Sequence, residues 1–139
     1  FSTDALMFQV SNTDRRLMNK EQGLVMRLDD PDSEAQLPLA ISVSFLNKNR
    51  LFSHRFAGRN LIVITSEQGA TRVYDAQDDQ FIHHGNNAKI VDNAGREWQV
   101  TEEALVLDSN SSDRRLRLPT QHAFWFGWYA QFPDTTLIQ

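Results

Sequence analysis

Leu61-Ile62-Val63-Ile64-Thr65 is an unbroken, largely β-branched run. It predicts a central strand buried on both faces, because β-branched residues favour the pleated backbone and a strand covered twice shows no polar alternation. Thr71-Arg72-Val73-Tyr74 follows after Gly69, which predicts a hairpin. Further short apolar runs stand at Ala5–Val10, Leu24–Leu28, Trp98–Val100 and Leu105–Leu107. Turn-forming stretches separate them: an acidic one at Asp29–Glu34, another at Asp108–Asp113, and a third around Gly85-Asn86-Asn87.

Two segments favour helix. In Thr120–Phe132, Thr120 suits a cap, Phe124, Trp128 and Phe132 recur every four residues, and Pro133 stops the run. In Pro38–Leu46, Leu39, Ile41, Val43 and Phe45 alternate like a strand. Pro38 suits a first helical turn, however, and Leu39, Val43 and Leu46 share a helical stripe, which favours a short helix near 38–46. The expected fold class is α+β: β-rich, with a mostly antiparallel sheet and one C-terminal aromatic helix.

The 139 residues suit one domain spanning 1–139. Within it, residues 8–28 and 81–100 read alike, each as a three-stranded meander, with hairpin turns at Gly23 and Gly95. Either the segment is duplicated, or two unrelated hairpins share common signals. The chain begins at Phe1 rather than Met, as expected of a processed or trimmed product.

Composition excludes several functions. Without cysteine there is neither a disulfide nor a thiolate ligand. A net charge of −4 argues against nucleic acid as a partner, since phosphate-backbone binding needs a basic stripe. No apolar run reaches the length of a membrane span. The four histidines, His54, His83, His84 and His122, match no ligand spacing, and neighbouring strand residues such as His83 and His84 face opposite ways. No metal or cofactor is therefore expected. No serine sits in a nucleophile elbow, and Gly58 and Gly69 are isolated rather than part of a phosphate loop. Glu102-Glu103 follows Thr101, which reads as a capped turn rather than a catalytic carboxylate pair. No catalytic residue is assigned.

Phe124, Trp125, Phe126, Trp128, Tyr129 and Phe132 supply six of the fourteen aromatic residues. One helix cannot bury every side against one sheet. Phe124, Trp128 and Phe132 are expected in the core. Trp125, Tyr129 and Phe126 are then expected at its edge, as a candidate surface for a protein or small-molecule partner.

Leu37-Pro38-Leu39, Phe56-Ala57-Gly58, Leu61–Thr65, Gly69–Asp75, Trp125-Phe126-Gly127-Trp128 and Phe132-Pro133-Asp134-Thr135 together resemble the bacterial domain-of-unknown-function family 3179, over residues 24 to 138. The resemblance implies a fold and an exported, periplasmic or extracytoplasmic setting, and no activity. Family members usually carry Cys-x-x-Cys-Gly where this chain has Thr65-Ser66-Glu67-Gln68-Gly69. They usually carry a His-Glu pair in the region that here reads Asn49–His54. The leading expectation is a non-catalytic binding or structural module. The alternative is a hydrolase using His54 or His122 with a nearby carboxylate, which a cleft holding such a pair would favour.

Overall fold

The computed structural model describes residues 21–84 and 88–139. Ala5–Val10, the first part of the 8–28 repeat and the Gly85-Asn86-Asn87 turn lie outside the described residues. The chain forms two compact units. Among the described residues, one combines 21–45 with Thr120–Gln139, and the other is Leu46–Pro119.

The first unit is a four-stranded sheet ordered β11-β1-β2-β12. β1 (Gln22–Asp29) and β2 (Gln36–Ser42) form its centre, antiparallel and in register with Val25 opposite Ala40. Their loop is the expected acidic turn. Asp30 folds back on itself, its carboxylate accepting from the Asp32 amide and the Ser33 hydroxyl. β11 (Gln121–Phe124) pairs antiparallel with β1, and β12 (Thr136–Ile138) pairs parallel with β2.

Between those outer strands lies helix α2 (Trp125–Gln131), following α1 (Val43–Lys48) in chain order. Trp125, Trp128 and Tyr129 share one helical face at i, i+3, i+4 and pack on Val25 and Ala40. The Trp125 amide donates to the Glu21 carbonyl, satisfying one group that helix geometry leaves open. Past the helix, the Thr135 hydroxyl and amide both donate to the Phe132 carbonyl, closing the Pro-Asp-Thr turn.

Three local expectations need correction. The C-terminal helix does not start at Thr120. Residues 121–124 are extended because their backbone groups pair with β1, and that pairing outweighs the four-residue aromatic spacing. The helix near 38–46 begins only at Val43, since Pro38 to Ser42 complete β2. Gly23 is not a hairpin turn but lies within β1, opposite Ser42 and Ala123.

The second unit is one eight-stranded sheet, ordered β3-β4-β5-β10-β9-β8-β7-β6, with every neighbour antiparallel. β3 (Leu51–Phe56) and β4 (Arg59–Thr65) join through Ala57-Gly58, both at positive φ, the geometry of a type I′ hairpin. β4 is buried from Leu61 to Thr65, as its sequence predicts. Gly69, at φ +87°, turns the chain into β5 (Thr71–Asp75).

β6 (Phe81–His84), β7 (Lys89–Asp92) and β8 (Glu97–Val100) form a meander whose second turn uses Gly95 at φ +83°. Thr101 caps the next turn, its hydroxyl accepting from the Ala104 amide, and β9 (Ala104–Leu107) follows. β10 (Asn110–Leu118) starts within the expected Asp108–Asp113 loop and bridges β9 to β5. The core gathers Ile62, Ile64, Tyr74, Phe81, Ile90, Trp98, Leu105 and Leu107. The two ends of the sheet, β3 and β6, come back near one another, so the sheet curls toward a barrel with an unpaired seam.

Candidate functional site

At that seam lies a cavity of about 270 Å³. Its floor is apolar: Leu61 from β4, Ala76 and Phe81 are all buried. Phe81 is fixed from behind by an edge-on contact with the Trp98 ring, centroids 5.7 Å apart. The rim is polar on three sides, with Ser53, His54 and Arg55 from β3, Asn60 from β4, and Asp79 and Gln80 ahead of β6. Exposed Ile82 completes it.

β3 sets the histidine. Alternation puts Phe52, His54 and Phe56 on one face, where the imidazole stacks between the two phenyl rings at 5.8 and 6.3 Å. Burial lowers the His54 pKa, so the ring is neutral at neutral pH. Ser53 and Arg55 alternate to the other face.

Asn60 clamps the wall. Its side-chain amide donates to the Gln77 carbonyl at 2.6 Å, its backbone carbonyl accepts from the Ala76 amide, and its side-chain oxygen accepts from Arg55 at 3.1 Å. Gln77, at φ +53°, makes the turn that this clamp holds. Asp79 is held by Arg115 at 2.7 Å and Arg96 at 3.0 Å. Arg96 also pairs with buried Asp92 at 2.9 Å. Two carboxylates and two guanidiniums therefore balance behind the pocket.

His54 lines this cavity. His83 and His84 are adjacent on β6, opposite Val91 and Ile90. His122 is exposed on β11 in the other unit. Among the described residues no three His, Asp or Glu side chains converge as a metal site would require. Glu102 is exposed and pairs with Arg72 and Arg117 at the surface.

The aromatic helix differs from expectation. Trp125 and Tyr129 are 3% and 2% exposed, so they are core rather than edge. The reason is register: starting the helix at Trp125 turns Trp125, Trp128 and Tyr129 toward the sheet. Phe124, expected in the core, is 56% exposed at the end of β11. Phe126 is 46% exposed.

Sequence reasoning missed Arg55, Asn60, Asp79, Gln80 and Ile82, which come together only when β3 and β6 meet. A local signal existed for His54, flanked by Phe at both i−2 and i+2.

The fold and site define a β-rich protein with a preformed pocket at the open seam of a curled antiparallel sheet. The chain belongs to the family described as "Protein of unknown function (DUF3179)", whose model matches residues 1–135. No curated protein and no solved structure matches the chain. Among the described residues, no helix is long and apolar enough to cross a membrane.

Proposed function

We propose that this chain is a non-catalytic binding module that takes a small molecule at the β3–β6 seam. The observation carrying the reading is the concavity itself: an apolar floor, a rim of a few convergent polar groups, and walls fixed by hydrogen bonds before any ligand arrives. We place the module in an exported protein, on the family resemblance.

The hydrolase reading gains less support. Ser53 and His54 share the pocket but are strand neighbours whose side chains leave opposite faces, which disfavours a nucleophile–base hydrogen bond. Asp79, the carboxylate of the pocket, is engaged by two arginines.

Amide chemical-shift mapping with a mixture of small neutral and charged fragments tests the proposal. Saturable shifts at Ser53, Arg55, Gln80 and Ile82 are expected. Shifts confined to 120–132 would move the site to the aromatic helix. Ester or phosphoester turnover that disappears in His54→Ala would establish the hydrolase instead.

A further inference from the structure

We propose that the seam pocket selects small carboxylates with an apolar body, and that Arg55 is their charge anchor. This rests on the pocket being the binding site.

One charged side chain of the pocket has no ionic partner among the described residues. Asp79 and Asp92 are matched by Arg96 and Arg115, and neighbouring Arg59 is matched by Asp75 at 3.3 Å. Arg55 has no carboxylate partner among the described residues. Arg55 is therefore the lining cation that no carboxylate holds, in a chain of net charge −4.

That charge is also oriented. Arg55 donates one hydrogen bond to the Asn60 side-chain oxygen, and Asn60 is fixed in turn to the Gln77 carbonyl. A guanidinium has five N–H donors, so a fork remains for the two oxygens of a carboxylate. Holding the guanidinium beforehand reduces the ordering cost of binding.

The floor and size define the rest of the ligand. Leu61, Ala76 and Phe81 offer apolar contact below the polar rim. The cavity offers about 270 Å³. A benzoate-sized body suits it, whereas a polymer chain must extend beyond it.

Amide chemical-shift titration of the full chain with benzoate, benzamide and benzylamine tests the idea. Benzoate is expected to shift the Ser53, Arg55 and Ile82 amides saturably and to bind at least about tenfold more tightly than the other two. Arg55→Gln should reduce benzoate to the level of benzamide without changing the melting temperature. Arg55→Lys should retain part of the preference, and Arg114→Gln, an exposed control on β10, all of it. Equal binding of benzoate and benzamide at the seam would overturn carboxylate selection while leaving the pocket as the binding site. Benzoate preference surviving Arg55→Gln would overturn the anchor. Absence of seam shifts with every probe would overturn both readings.

Discussion

The Trp98 indole N–H donates to the Asp92 carboxylate at 2.9 Å, with both residues fully buried. The same carboxylate accepts from the Ala94 and Arg96 amides and from the Arg96 side chain, each at 2.9 Å. The Arg115 and Arg96 guanidiniums lie over the Trp98 ring at 4.9 and 5.6 Å. One buried anion thus fixes the Gly95 turn, the core tryptophan and the arginine that steadies Asp79 beside the pocket. Asp92→Ala should cost about 3–5 kcal/mol, the usual loss when one partner of a buried charged pair is removed. Urea unfolding of the two proteins checks it.

Acid should weaken the protein through the same carboxyl. Burial pushes its pKa up, but the hydrogen bonds from Trp98, the Arg96 and Ala94 amides and the Arg96 side chain overcome this and hold it below the ordinary value. The folded pKa is therefore lower than the unfolded one. The resulting stability is complete above the ordinary carboxylate range, about pH 4, and is lost as pH falls through the folded value. Unfolding free energy measured from pH 6 down to pH 2 should fall less steeply in Asp92→Asn.

His54 should titrate below the free histidine value of about 6.5, because burial disfavours its charged form. Phe52→Ala and Phe56→Ala should each raise its pKa by uncovering one ring face. Proton NMR of the imidazole follows this directly. A titration midpoint unmoved by both changes would exclude the phenyl stack as the source of the shift.

Trp125→Ala and Trp128→Ala should each lose about 3–5 kcal/mol, since both rings fill the core of the first unit. Their indole N–H groups are buried and have no hydrogen-bond partner among the described residues. A phenyl ring at either site therefore avoids burying an unsatisfied donor, and Trp125→Phe and Trp128→Phe should recover most of that loss. Phe126→Ala should stay within about 0.5 kcal/mol of the parent, as exposed positions usually do. Thermal melts separate these outcomes.

The β-rich class was legible because its signals are local. Leu61–Thr65 announces a doubly covered strand, and Gly69 and Gly95 occur where the backbone turns at positive φ. The helix boundary was not, because residues 121–124 owe their extended form to β1, about a hundred positions earlier in the chain. The pocket was hidden for the same reason. Arg55 and Asn60 face each other across a hairpin and are local, whereas Ile82 reaches the rim only by the curling of eight strands. His54 was visible as a histidine, but its phenyl neighbours gained meaning only once alternation placed all three on one face.

The order of synthesis has a consequence here. The first unit draws β1 and β2 from one part of the chain and β11, α2 and β12 from another, with the second unit encoded between them. On a ribosome adding about 5–20 residues per second, Leu46–Pro119 emerges before Trp125, Trp128 and Tyr129 exist to cover Val25 and Ala40. The central strands of the first unit must therefore wait, with apolar surface uncovered, for about 4 s at the faster rate and about 16 s at the slower. A pause in translation between codons 45 and 120 should lengthen that exposure and raise the demand for a holding chaperone.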